Sequence, residues 1–174
     1  MNTEALKVLK ERRSIRKFKP EQVSDAELEA VLEAGTYAPS GKGQQPCVII
    51  AVQNKADIAQ LTKMNAAVWG KDIDPYYGAP TILLVLSRTD STTPVEDGSA
   101  VITYLLTAAA AVGLGACWIN RERQMFDSDE GKALLQKWGV KGEYVGVAAC
   151  SLGYLAGDNP KAAPRKEGYV VRVK

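Results

Sequence analysis

The sequence predicts an α+β layered domain. Two runs, CVIIAV at 47–52 and TILLVLS at 81–87, are rich in β-branched and aliphatic residues, the composition of buried strands. Helical patterns with recognisable caps lie between such runs. Strands and helices alternate too irregularly for a βαβ series, which favours layers over a doubly wound parallel sheet. The 174 residues, 46% hydrophobic and 24% charged, suit one domain over 1–174 with a real core.

Taken in chain order, Thr3 can cap a first helix running to about Arg12. Ser24 and Glu27 form an S-x-x-E capping box, with Val23 and Leu28 placed as a hydrophobic staple. Val31 and Leu32 continue the apolar face, and Gly35 reads as the C-cap. After CVIIAV, Lys55 to Lys63 reads as a short helix, and Met64 to Gly78 as an irregular segment carrying Trp69, Tyr76 and Tyr77. After TILLVLS, the run AVITYLLTAAAAVGLGACWIN, residues 100–120, carries no charge. Its Ala content, its Thr residues and its two glycines favour a buried helix followed by a short strand, ACWI, over a membrane span. Ser128 to Trp138 is helical, YVGVAACSLGYL is a strand with small residues, and a polar tail ends in a possible strand, YVVRV.

Composition excludes several classes of chemistry. There is no His, so neither a Ser-His-Asp nor a Cys-His apparatus is available, nor a His-ligated metal. Cys47, Cys117 and Cys150 are odd in number and far apart, which fits a reducing compartment and neither a disulfide framework nor a zinc site. The opening MNTEALKVLKERR has no secretory pattern, so a cytoplasmic location is expected. A net charge of +2 is small for a nucleic-acid binder.

Three stretches could carry chemistry. GTYAPSGKGQQP, residues 35–46, has the look of a phosphate loop but fails as one. Gly35 is one residue too far from Gly41-Lys42, Gly43 stands where Ser or Thr is needed, and a helix precedes where a strand should. It remains either a plain loop or a set of hydroxyl, amide and backbone groups for the edge of a planar polar ligand. GLGACW, residues 113–118, is a helix C-cap leading into a strand. RRSIRKFK places Arg12, Arg13, Arg16, Lys17 and Lys19 around Ser14. That is a solvated charged face or, with Arg12 and Arg16 sharing a helical face, a set of guanidinium forks for a phosphate dianion. Arg165-Lys166 adds a second basic pair.

Together these features resemble the nitroreductase family of flavin enzymes. The carriers are RRSIR (12–16), APSGKGQQP (38–46), Ala79-Pro80 before a strand, the block from Asp97 to Trp118, LGY (152–154) and the PRK tail, in family order over nearly the whole chain. The resemblance implies a three-layer α/β/α sandwich with a mostly antiparallel sheet, and an intertwined homodimer with FMN at its interface. Residues 156–174 would embrace the partner and exchange a C-terminal strand. Arg12, Arg13, Ser14 and Arg16 would hold the FMN phosphate and ribityl chain, with Arg165 and Lys166 assisting. Pro39, Ser40 and Gly41 would come from the other subunit and pack near the ring. Gln44 or Gln45 would bond its polar edge, and Trp118 and Ile119 would line its other side. The implied activity is an NADH- or NADPH-driven, ping-pong reduction of small electron-poor acceptors such as nitroaromatics or quinones.

Two positions depart from the family pattern. Gly43 stands where the family usually has an Asn that contacts flavin, and can offer only its backbone. Cys47 replaces a usual Trp, and reads as a buried thiol before a redox group. These departures leave a non-catalytic flavin-binding member as the alternative. The missing His is no obstacle, because flavin carries the electron chemistry and the protein binds, orients and tunes it. A cation near the ring would stabilise its reduced anion, with Lys42 or Lys166 as candidates. Residues 64–78 are a candidate lid or a plain connection.

Overall fold

A computed structural model describes residues 3–174. In chain order its elements are α1 (Thr3–Glu11), α2 (Asp25–Thr36), a 3-10 turn (Gly41–Gly43), β1 (Cys47–Val52), α3 (Lys55–Trp69), β2 (Thr81–Arg88), α4 (Pro94–Ala111), β3 (Gly115–Ile119), α5 (Glu122–Asp127), α6 (Asp129–Lys137) and β4 (Tyr144–Gly153). The four strands form one antiparallel sheet in the order β1-β2-β4-β3.

The sheet is the middle of three layers, and β2 shows why its sequence is apolar throughout. Successive side chains of a strand point to opposite faces. Leu83 and Val85 pack with Val31, Ile102 and Leu105 of α2 and α4. Ile82, Leu84 and Leu86 pack with Leu61 of α3, Met125 and Phe126 of α5 and Leu134 of α6. With both faces covered, no position of β2 from Thr81 to Ser87 is left to solvent. The α/β/α sandwich and the antiparallel sheet are therefore as expected.

The capping box on α2 forms as predicted and reaches further than local sequence shows. Ser24 Oγ accepts from the Glu27 N–H, and the Ser24 N–H donates to Glu27 Oε2 (3.1 Å). Tyr154, leaving β4, donates its hydroxyl to the same oxygen (2.6 Å), so the Tyr of LGY is tied to the start of α2. Gly35 is not the C-cap: it lies inside the last turn, and Tyr37 caps the helix. A Cβ there would sit 2.6 Å from Leu105 Cδ2, so Gly35 lets α2 approach α4.

Two boundaries differ from the expected ones. The third helix continues beyond Lys63 to Trp69, because Gly70 supplies the left-handed residue that ends it (φ 71°). The fourth begins at Pro94 rather than near Ala100. Proline suits the first turn, and Glu96 and Asp97 complement the positive end of the helix. The α5 turn was not foreseen. No described helix is long and apolar enough to cross a membrane. The tail from 156 has no regular element within the chain. Tyr169, Val170, Val171 and Val173 stand exposed, and the anticipated YVVRV strand finds no partner strand there.

Candidate flavin site

The basic segment is extended, and this corrects one expectation. Because α1 stops at Glu11, Arg12 and Arg16 do not share a helical face. Instead Ser14 bridges Ala116 in parallel, with the Ile15 N–H donating to the Ala116 carbonyl (2.9 Å). Ile15 is buried there. Gly115 permits the approach, since a Cβ on it would lie 2.9 Å from Ile15 Cγ2. Further on, the segment runs beside the exit of β4, where Lys19 N–H donates to Tyr154 O (2.9 Å) and Ala156 N–H to Lys17 O (3.0 Å).

This docking brings Ser14 and Arg16 to one groove, while Arg12 lines a neighbouring cavity with Arg13, Lys7 and Glu11 at the end of α1. Burial pushes the Cys117 thiol up from its ordinary value, while Arg16, the Ser14 hydroxyl and Arg12 act on it in the opposite sense. Of the three, Ser14 is held directly against β3 by its bridge to Ala116. Arg13 turns back and donates through Nη1 to the carbonyls of Lys10 and Arg12, both at 2.7 Å, at the end of α1. Its Nε is buried without a hydrogen-bond partner among the described residues. None of the three arginines forms an ion pair with a carboxylate among the described residues. A groove of about 330 Å³ runs along Ser14, Arg16 and Lys17 towards Asp158.

Beyond Ala116 the outer edge of β3 has no strand partner among the described residues. Trp118 is half-buried and donates its indole N–H to Asn120 Oδ1 (2.7 Å). Ile119 sends its side chain into the core, so only its backbone can face a ligand.

The segment 64–78 covers the two ends of this edge. Tyr77 lies against Arg16, with the guanidinium carbon 5.8 Å from the ring centre, and Trp69 lies against Arg121 at 4.2 Å. It is anchored and not loose. Asp74 accepts from the N–H groups of Tyr76 (2.8 Å) and Gly78 (2.5 Å). Tyr76 is buried against Glu122, which sequence reasoning passed over. Glu122 is completely buried, and Asn65 Nδ2 also donates to its Oε1 (3.2 Å). Nothing in the stretch NRERQ marks this Glu as internal. Only the Asn and Tyr of 64–78, three-dimensional neighbours, make it so.

The second group of candidates stands elsewhere. Pro39, Ser40, Gly41, Gly43, Gln44 and Gln45 enter β1, the strand at the opposite edge of the sheet from β3. Their loop is shaped by Asp97 of α4, whose Oδ1 accepts from Gly41 N–H (2.8 Å), and by Ser40 Oγ, which accepts from Gln45 N–H (2.9 Å). Lys42, Gly43 and Gln45 all adopt positive φ. A cavity of about 330 Å³ beside the loop is lined by Leu32, Thr36, Ala38, Pro39 and Cys47. Cys47 is half-buried, and burial pushes its thiol up, so it stays protonated. The chain does not join this loop to the arginines. Nor does it join Arg165 and Lys166 to them: Arg165 bonds Ala163 O (2.6 Å) and Lys166 lies over Tyr169 on the exposed tail.

Chemically, the β3 edge offers guanidinium forks and a hydroxyl at one end and free backbone donors and acceptors along a flat edge. That suits a phosphate joined to a planar polar ring.

A model of the nitroreductase family matches residues 9–75. The chain is 32% identical over 157 residues to a protein of Archaeoglobus fulgidus named "Putative NADH dehydrogenase/NAD(P)H nitroreductase", covering 87% of this chain and 85% of that one. Among solved structures, a nitroreductase with bound FMN from Bacteroides fragilis superposes with a TM-score of 0.90 at 30% identity, covering 98% of this chain and 99% of that one. A nitroreductase with bound FMN from Desulfitobacterium hafniense gives 0.88 at 25% identity over the full length of both.

Proposed function

The chain belongs to the nitroreductase family, and from that premise we propose that it is an FMN-dependent NAD(P)H oxidoreductase acting on small electron-poor acceptors such as nitroaromatics or quinones. The observation that carries the reading is the docking of RRSIR beside the unpaired edge of β3. It sets Ser14 and Arg16 beside that edge, with Arg12 and Arg13 at the nearby end of α1 and none of the arginines in an ion pair among the described residues, which supports a site for the flavin phosphate.

In this reading Arg12, Arg16 and the Ser14 hydroxyl hold the phosphate and ribityl chain, and Arg13 braces the end of α1 beneath them. The backbone of Trp118 and Ile119 would face the polar edge of the ring. FMN held there would supply the electron chemistry, accepting a hydride from reduced nicotinamide in one ping-pong half-reaction and reducing the acceptor in the other. The protein contributes binding, orientation and exclusion of water.

A homodimer completes the site. The loop Pro39–Gln45 and the β3 edge lie on opposite sides of one sheet, so a partner would bring its loop to this chain's arginines. Leu6 and Leu9 on α1, Tyr104 and Val112 about α4 and the apolar tail are exposed in the single chain, which supports burial against a second copy, with the tail as the exchanged strand and Arg165 and Lys166 carried along. The free cysteines agree with a reducing cytoplasm.

Purified protein should be yellow, sediment as a dimer and lose its flavin absorbance anaerobically on adding NADH or NADPH. A colourless protein that FMN cannot reconstitute would sink the proposal.

A further inference from the structure

Trp69, Lys71 and Arg121 form a cationic cluster that flavin binding does not use. Arg121 sits 4.2 Å and Lys71 4.8 Å from the centre of the Trp69 ring, which is 37% exposed. Two like charges held on one indole repel each other, and neither forms an ion pair among the described residues. Each retains hydrogen-bond donors for an anion.

Arg121 is held there against its backbone preference. Its φ is 88°, a region that side-chain-bearing residues avoid. Buried Asn65 fixes the turn from both sides: its Nδ2 donates to Asn120 O (2.9 Å) and its Oδ1 accepts from Arg121 Nε (2.7 Å). With Nε engaged and the plane stacked on Trp69, the outer edge of the guanidinium is pre-aimed for a bidentate contact.

The location gives the cluster its meaning. Arg121 follows the free edge of β3 by two residues, at the end away from Arg16 and Tyr77. A shallow groove of about 480 Å³ runs on from Lys71 past Gly70 and Ala66 to Lys63, with Asp72 as the one carboxylate among its lining residues. A ligand reacting at the β3 edge and trailing phosphates would meet Arg121, then Lys71, then this groove. We infer that Trp69, Lys71 and Arg121 bind the phosphate-bearing arm of the nicotinamide dinucleotide donor. The inference rests on the oxidoreductase reading above.

The test compares wild type with Arg121→Ala and Lys71→Ala, each loaded with FMN. Calorimetric titration with NAD+ and NADP+ reads donor affinity without turnover. Stopped-flow flavin reduction by NADH, NADPH and the neutral donor N-benzyl-1,4-dihydronicotinamide reads its consequence. The expected result is a loss of dinucleotide affinity of about ten-fold or more in Arg121→Ala, smaller in Lys71→Ala, with the neutral donor unaffected. The wild-type advantage should shrink as salt rises. Unchanged dinucleotide affinity in both variants would overturn the assignment, as would equal slowing of the neutral donor. So would an effect confined to the oxidative half-reaction with 4-nitrobenzoate, absent with nitrobenzene. Lys71→Ala leaves the strained turn untouched and keeps the test valid if Arg121→Ala folds poorly. Failure of every dihydronicotinamide to bleach wild type would instead defeat the oxidoreductase reading.

Discussion

Tyr76 donates its hydroxyl to Glu122 Oε1 across 3.3 Å, and both side chains are cut off from solvent. The pair joins the turn after α3 to the start of α5, and Arg121, the neighbour of Glu122, turns outward from the same spot. Burial is the main cause of the shift that takes the Glu122 carboxyl from 4.5 up to about 8, opposed by its own backbone N–H, Tyr76, Arg121 and Asn65. Its Oε2 has no partner.

The sign of the resulting pH dependence follows from the raised value. Between about 4.5 and about 8 the unfolded chain has released the proton that the folded chain keeps. This group's share of stability is therefore fully present below about 4.5 and falls as pH rises through that window. The slope is at most about 1.4 kcal/mol per pH unit. Glu122→Gln imitates the protonated acid and cannot ionise. Urea melts should show the variant close to wild type at acidic pH and more stable than wild type at pH 8. If wild type and variant keep the same slope across the window, Glu122 is not the group responsible.

Asp97 governs the loop that precedes β1. Its Oδ1 accepts from Gly41 N–H, and its Oδ2 accepts from the hydroxyls of Ser91 (3.2 Å) and Thr93 (3.0 Å). Asp97→Ala removes both acceptor oxygens at once and leaves the Gly41 N–H and the Ser91 and Thr93 hydroxyls without this partner. The loss should cost about 1–3 kcal/mol. If the loop reaches a partner's flavin, FMN affinity should fall as well, although Arg12, Ser14 and Arg16 are untouched. Thermal melts and fluorimetric FMN titration separate the two effects. A lowered melting temperature with unaltered FMN affinity would detach the loop from the site.

What could be read in the sequence follows the range of the forces involved. The Ser24–Glu27 box and the run TILLVLS are local signals, a cap and a doubly buried strand, and both form where predicted. RRSIR was legible as a candidate site by its charge but not by its shape. Whether it continues the helix depends on the bridge from Ser14 to Ala116, a contact between residues far apart in the chain. The family resemblance sets Trp118 and Ile119 together against the ring, and strand alternation sends the Ile119 side chain to the core, leaving its backbone for that role. Gly35 looked like a cap because the Leu105 that requires it to be small lies in another helix. Gly70, in contrast, was a readable helix stop that the aromatic residues around it obscured.

Gly43 offers the sharpest check on the loop. Its φ is +66°, and a Cβ placed on it meets no atom within 4 Å in the single chain. Space is thus available and conformation is the only local cost. Asn tolerates this left-handed region far better than Ala. Gly43→Ala should lose about 1 kcal/mol of stability, and Gly43→Asn noticeably less. The Asn amide should also tighten FMN, because it restores a polar group where the family pattern has one, while Gly43→Ala should not. Denaturant melts and FMN titrations on both variants decide the matter. FMN affinity that is unchanged or weaker in Gly43→Asn, with stability preserved, would mean that this turn does not face the flavin.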